Sequence, residues 1–241
     1  MREKTNQETI GTKKVRETKA VERDPRIFSY YSREEETVNM LTHIVGIVLG
    51  VVVLFMCMMR AMLDGDDWKL ASGVIYGVSM ILLYTVSSIY HGWESEYKKK
   101  VLRIVDHCTI YLLIAGTITP ICMNELRMVN PTFAWVLFGV VYATNIIGIV
   151  FTAIDFKKYI LLSMFGYLAP WLMLFIINDL ITAYSINLVW YLVGGGAAYT
   201  IGAVCYGIGK KKIKYMHATF HIFILLGSLI HFIGIYDCCF V

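Results

Sequence analysis

Long apolar blocks separated by short polar segments dominate the chain. After a polar stretch, apolar blocks lie at approximately 38–60, 69–92, 102–123, 131–153, 158–178, 186–209 and 213–236. Each block reaches the roughly 20 residues that an α-helix needs to cross a bilayer. The blocks lack the alternation typical of half-buried strands. The pattern therefore predicts an all-α membrane protein, a bundle of seven transmembrane helices.

Composition divides the chain into two predicted parts. Residues 1–36 are rich in Lys, Arg, Glu and Thr and contain no apolar core of a signal peptide, so we expect a flexible cytoplasmic tail. Residues 37–241 form the predicted transmembrane domain. Over the whole chain 57% of residues are hydrophobic and only 17% are charged, which is outside the ordinary globular range.

The basic residues predict the orientation of the bundle, because short cytoplasmic loops are enriched in Lys and Arg. With the N-terminus inside, the outer loops contain only Arg60, Lys69 and Arg127, and the inner loops contain Lys98, Lys99, Lys100, Arg103, Lys157, Lys158, Lys210, Lys211, Lys212 and Lys214. We therefore expect a multi-pass protein of the plasma membrane with its N-terminus in the cytoplasm and its C-terminus outside.

The net charge of +4 does not indicate a nucleic-acid partner, since the basic residues lie in short clusters between apolar blocks. Membrane lipids are the predicted partners. Small residues predict close helix packing at Gly46 and Gly50, which form a GxxxG motif, and at 194–198. Pro120 and Pro170 are expected to kink the third and fifth helices and to free a backbone carbonyl that a neighbour must satisfy.

Polar side chains inside the apolar blocks gather toward the predicted cytoplasmic ends of four helices. They are Asn39, Thr42 and His43 in the first block, Ser87 and His91 in the second, Asp106 and His107 in the third, and His217 and His221 in the seventh. His217 and His221 share one helix face because they are four residues apart. Two such imidazoles can clamp a metal, and a third histidine from a facing helix would leave one position of a tetrahedral zinc open.

Simpler explanations remain for these polar residues. The histidines could hydrogen-bond between helices, as intramembrane polar residues often do. Asp106 could pair with Arg103, three residues earlier on the same face. The H-x-x-x-H motif together with a further histidine and an aspartate at similar depth favours a metal site. The roles of His43, His107 and His231 stay open, although His231 lies more than two turns beyond His221 and is expected to link helices.

Four segments resemble the signature of a known family. They are EETVNMLTH (35–43), SSIYH (87–91), RIVDHCTIYLLIAGTITP (103–120) and HATFHIFILLGSLIHF (217–232). These segments are similar to those of the hemolysin III proteins, which belong with the progestin and adipoQ receptors, including the adiponectin receptors. The resemblance extends from about residue 35 to 236 and leaves the N-terminal tail unexplained.

The resemblance implies a seven-helix bundle with a zinc ion near the inner leaflet. The zinc ligands that it implies are His91, His217 and His221. It also implies that Asp106 contacts a water at the zinc and that Ser87 belongs to the same site. Membership by itself does not decide function, because this family contains hormone receptors, lipid amidases and bacterial proteins named for haemolysis.

Three functions follow as hypotheses. The first is a zinc-dependent, ceramidase-like intramembrane hydrolase of a lipid amide or ester, in which Asp106 orients a water and accepts its proton while Ser87 hydrogen-bonds the water or the oxyanion. The second is a lipid or membrane-state sensor or receptor with structural zinc. The third, a pore-forming or membrane-lytic protein, ranks last because helices rich in Leu, Ile, Val and Phe offer no continuous polar lining. Substrate and oligomeric state are not determined by the sequence.

Overall fold

The computed structural model describes residues 31–159, 177–209 and 213–241, and its regular structure in these ranges is helical. The principal helices are α1 (Arg33–Asp64), α2 (Asp67–Gly92), α3 (Glu96–Ile121), α4 (Pro131–Ile154), α5 (Ile177–Ala183), α6 (Ile186–Gly209) and α7 (Met216–Cys239). A π-helical turn, Cys122–Leu126, and a helical turn, Arg127–Val129, follow α3.

Six helices of the described residues are long and apolar enough to cross a membrane, namely α1, α2, α3 with its extension to Val129, α4, α6 and α7. The all-α membrane class and six of the predicted blocks are thereby confirmed. Most of the predicted block at 158–178, including Pro170, lies outside the described residues. The seventh span and the orientation of the termini stay predictions.

Helix α1 begins at Arg33, before the apolar block itself. Its first turn is fixed by a capping box, in which the Ser32 hydroxyl accepts from the Glu35 backbone N–H and the Glu35 carboxylate accepts from the Ser32 N–H, at 3.2 and 2.9 Å. Glu36 is consequently part of the helix. It lies one turn before Met40 and two turns before His43, on the side of α1 that faces α2 and α7.

Close helix contacts occur where the sequence predicted them. Helix α1 packs along α2 and also contacts α7, which itself packs along α6. A Cβ at Gly46 would lie 2.3 Å from the Tyr84 ring, and one at Gly50 would lie 2.9 Å from Ile81. In α6, a Cβ at Gly195 would lie 2.1 Å from the His231 ring. Glycine is needed at these positions because a side chain would push the helices apart.

An interruption lies close to Pro120. Helix α3 passes into the π-helical turn, where Asn124 leaves the helical conformation with φ −92° and ψ −114°. The Tyr184 hydroxyl donates to the Ile121 carbonyl at 2.6 Å, so a neighbouring element satisfies a backbone acceptor beside the proline. The interruption expected at Pro120 is thus found one turn later, at Asn124. The carbonyl that Pro120 frees belongs to Gly116, four residues earlier, and its satisfaction by a neighbour stays a prediction.

A second set of polar contacts lies at the end of the bundle where α7 ends. We call its four residues the C-terminal cluster: Ser72, Asn124, Cys239 and Phe240. The Asn124 amide donates to the Cys239 carbonyl at 2.9 Å and accepts from the Ser72 hydroxyl at 3.0 Å. Phe240 is fully buried, and its carbonyl accepts from Arg60 and Lys69 at 3.1 and 3.3 Å. The cluster ties α2, the π-helical turn and the end of α7 together.

Candidate metal centre

Four histidines meet at the opposite end of the bundle, and we call them the histidine cluster. They are His43 from α1, His91 from the last turn of α2, and His217 and His221 from the first turns of α7. The ring centre of His221 lies 4.0 Å from that of His43, 5.0 Å from that of His91 and 4.2 Å from that of His217. The helices therefore bring imidazoles that are distant in sequence into direct contact.

Three members of the cluster are placed as a metal-binding group. One ring nitrogen from each of His43, His91 and His221 lies within 4.8 Å of the others, and all three side chains are buried. His217 adjoins this group, since its Nε2 lies 3.4 Å from His91 Nε2. Two imidazole nitrogens at this distance either share a hydrogen or direct lone pairs at one cation. The buried triple-histidine group could hold a metal ion.

A carboxylate orients the His91 ring. Glu36 Oε2 lies 2.6 Å from His91 Nδ1, and Lys99 hydrogen-bonds the other oxygen of the same carboxylate. A neutral His91 that donates its Nδ1–H to Glu36 carries its lone pair on Nε2, the atom that faces His217. Metal-ligating histidines almost always have such a partner on the second nitrogen.

A hydroxyl orients His221 in the same way. The Thr42 hydroxyl donates to the Asn39 carbonyl at 2.7 Å, so its oxygen is left to accept from His221 Nδ1 at 3.2 Å. This arrangement leaves the lone pair of His221 on Nε2. Helix α1 thus supplies the outer partner of a histidine on α2 and of a histidine on α7. Both rings are prepared to offer Nε2 to a cation.

Ser87 and Asp106 lie beside the cluster, as the sequence predicted. Ser87 Oγ is 2.9 Å from His43 Nε2, and the Asp106 carboxylate, whose side chain is 14% exposed, lies near Ser87 and His91. Among the described residues, the ion pair of Asp106 is with His107, at 3.8 Å, and Arg103 acts on Asp106 only as a more distant charge. The alternative explanation, that Asp106 forms a close ion pair with Arg103, is therefore not supported.

The other two histidines make helix contacts outside the cluster. His231 Nε2 donates to the Leu192 carbonyl of α6 at 3.2 Å, so the expectation that His231 links helices is confirmed. His107 Nδ1 lies 2.9 Å from the Arg103 carbonyl, and its ring packs edge-on against Phe156. Neither residue belongs to the triple-histidine group.

The structure brings together every residue that the sequence singled out for the site: His91, His217, His221, Ser87 and Asp106. It adds His43, whose role the sequence left open, and Glu36, which the sequence placed in the tail. The depth of His43, similar to that of His91, was a usable signal. Glu36 lies in the signature segment 35–43 and directly after the Ser32–Glu35 capping box, but its contact with His91 depends on how α1 and α2 pack.

Buried histidines at one end of a bundle of apolar spans define a class, that of multi-pass membrane proteins with a candidate metal centre. Residues 31–232 match the family described as Haemolysin-III related. The match covers most of the chain, and the chain belongs to this family.

Relatives of this chain occur in bacteria and animals. It is 36% identical over 210 residues to the hemolysin-3 homolog of Bacillus subtilis, a match that covers 87% of this chain and 96% of the relative. It is 33% identical to hemolysin-3 of Bacillus cereus, over 83% of this chain and 89% of that protein. The human monocyte to macrophage differentiation factor is 26% identical, over 84% of this chain and 83% of its own length.

Proposed function

We propose that the protein is a zinc-dependent intramembrane hydrolase of a lipid amide or ester in the plasma membrane. The single observation that supports this most is the 3.4 Å separation of His91 Nε2 and His217 Nε2. Zinc–nitrogen bonds of ~2.1 Å at a tetrahedral angle separate two ligand nitrogens by ~3.4 Å. The ligands are His91, His217 and His221, and Glu36 and Thr42 hold two of these rings in place.

The charges around the cluster support the proposed orientation. Lys98, Lys99, Lys100 and Lys214 lie at the same end of the bundle as the histidine cluster. Lysines at the ends of spans favour the cytoplasmic side. The proposed site therefore lies near the inner leaflet, with the N-terminus in the cytoplasm and the C-terminus outside. Membrane lipids can approach it along helix faces such as that of α1, where Val45, Val48 and Phe55 are exposed.

A bound zinc ion supplies Lewis acidity, which polarises a carbonyl and makes a water molecule easier to deprotonate. Asp106 accepts the proton of the attacking water and later returns it to the leaving amine or alcohol. Ser87, which lies beside Asp106, hydrogen-bonds the water or the developing oxyanion. The water oxygen bonds to the acyl carbon, the C–N or C–O bond breaks, and a fatty acid is released.

A second candidate, a lipid or membrane-state sensor with structural zinc, is favoured by one specific observation. His43 lies 4.0 Å from His221 between ring centres and belongs to the triple-histidine group. If His43 were a ligand together with His91, His217 and His221, four imidazoles would close the tetrahedron. Closed four-ligand sites are structural, whereas catalytic sites keep one position open.

The test combines metal content with hydrolysis. Purified protein should contain about one zinc per chain, and in vesicles it should release fatty acid from a long-chain lipid amide or ester. Asp106→Asn should keep the zinc and lose the hydrolysis by at least ~100-fold, since general base catalysis contributes this much. Asp155→Asn is the matched control, because Asp155 is exposed and caps a neighbouring turn.

One outcome would count against the enzyme, and another against the role of Asp106. Zinc-loaded wild-type protein that releases no fatty acid, with His43→Ala losing the metal, would favour the sensor. Full hydrolysis by Asp106→Asn would remove Asp106 from the reaction.

A further inference from the structure

Asn39 is a buried polar residue with no assigned task. It is completely buried, and among the described residues neither its amide nitrogen nor its amide oxygen has a hydrogen-bond partner. A buried amide without partners costs the free energy of its lost hydration. A leucine of similar size would avoid this cost. The donor and the acceptor of this buried amide are therefore available to a bound molecule.

The position of Asn39 places it against the histidine cluster. On α1 it lies between Glu36, which hydrogen-bonds His91, and His43, which contacts His221. The three residues share one face of the helix. The backbone of Asn39 adjoins the site, since its carbonyl accepts from the Thr42 hydroxyl, whose oxygen lies 3.2 Å from His221 Nδ1. A molecule bound at the cluster would lie next to the Asn39 side chain.

The other buried asparagines in the described residues differ from Asn39. Asn124 both donates and accepts, to Cys239 and from Ser72. Asn145 in α4 donates to the Val141 carbonyl one turn earlier. Both therefore have structural partners. Asn39 is the buried asparagine of this set whose donor and acceptor are both available to a ligand.

From this geometry we infer that Asn39 is a specificity-determining residue that selects N-acyl lipids over O-acyl lipids. Its Oδ1 accepts a hydrogen bond from the N–H of the scissile amide, and its Nδ2 donates to an oxygen of the substrate. An ester has no N–H, so it leaves the buried Oδ1 without a partner. Sites built to hydrogen-bond a substrate group reject analogues that lack the group, often by large factors. This inference rests on the proposed hydrolase and specifies its substrate class.

The test compares two synthetic lipids that share one palmitoyl chain and one headgroup and differ only in an amide or an ester link. Wild-type protein should prefer the amide. Asn39→Leu should lower kcat/KM for the amide by about 100-fold and change that for the ester less than about threefold. Asn39→Gln, which keeps the amide group, should recover part of the preference. Asn145→Leu is the matched control and should affect both lipids by the same factor.

Stability supplies a readout that does not depend on turnover. Asn39→Leu should keep or raise the melting temperature, because it removes polar atoms that have no partner among the described residues. Asn124→Leu should lower it, since Ser72 and the Cys239 carbonyl lose their partner. A fall for Asn39→Leu as large as that for Asn124→Leu would mark Asn39 as structural and overturn the inference.

Binding separates failure of this inference from failure of the proposed function. In chelator-treated protein, the amide lipid should raise the melting temperature of the wild type more than the ester lipid does, and Asn39→Leu should abolish the difference. Equal loss of amide and ester hydrolysis in Asn39→Leu would overturn the role of Asn39 alone. If zinc-loaded wild-type protein hydrolyses neither lipid, the proposed hydrolase is wrong. If the two lipids then also raise the melting temperature equally, the proposed selectivity of Asn39 is wrong as well.

Discussion

The two ends of the bundle treat buried polar groups differently. In the C-terminal cluster, Asn124 uses both its donor and its acceptor, and the Phe240 carbonyl has two donors. In and beside the histidine cluster, buried atoms of Asn39, His43 and His217 have no hydrogen-bond partner among the described residues. A satisfied network holds helices together, whereas a convergent set of unsatisfied groups is suited to a ligand. The C-terminal cluster therefore stabilises the packing of the helices, whereas the histidine cluster has polar atoms available to bind a ligand.

The largest expected effect follows from removing a histidine of the cluster. His91→Ala should reduce the metal content of purified protein from about one ion per chain to near zero, because it removes an Nε2 that already points into the group. Elemental analysis measures this. His231→Ala is the control, since His231 bonds Leu192 outside the cluster and its loss should affect stability only. Metal retained in His91→Ala would contradict the ligand set.

The next effect concerns the carboxylate that orients His91. Glu36→Gln should weaken metal binding by about 10- to 100-fold, the usual consequence of losing an outer partner of a histidine ligand. Competition with a chromogenic chelator measures the affinity. Glu94→Gln is the matched control, because Glu94 forms an exposed ion pair with Arg33. Equal affinities for the two variants would argue that Glu36 serves only helix packing.

The opposite end should respond in stability and not in metal binding. Asn124→Ala removes hydrogen bonds to Ser72 and to the Cys239 carbonyl and should lower the free energy of unfolding by about 1–3 kcal/mol. Denaturation in mixed micelles would record the loss, and metal content should stay at the wild-type level. A loss of metal in this variant would break the separation between the two ends. Asn145→Ala, which loses one bond within α4, should cost less.

The smallest expected effect tests the hydroxyl that orients His221. Thr42→Val keeps the side-chain shape and removes the acceptor of the His221 Nδ1–H, so metal affinity should fall by a few-fold, up to about tenfold. Thr37→Val is the control, since Thr37 bonds only the Arg33 carbonyl of its own helix. Affinity that is the same in both variants would show that the tautomer of His221 does not depend on Thr42.

Much of the fold could be predicted because it depends on short-range pattern. Apolar blocks long enough to cross a bilayer correspond to α1, α2, α3, α4, α6 and α7. The glycines at 46 and 50 were also predictable, since glycine permits close approach. The break expected at Pro120 lies one turn later, at Asn124. Hydropathy alone missed the polar first turn of α1, whose start is marked by the capping box of Ser32 and Glu35.

The sequence by itself determined which polar side chains lie within apolar spans and that His217 and His221 share a face, because these facts follow from composition and helical period. Only the tertiary structure decided that Glu36 holds His91, that His43 joins the cluster and that Asn39 has no partner. Such contacts depend on how far neighbouring helices are rotated and how closely they approach. These quantities are set by packing between helices, and the pattern along a single helix does not contain them.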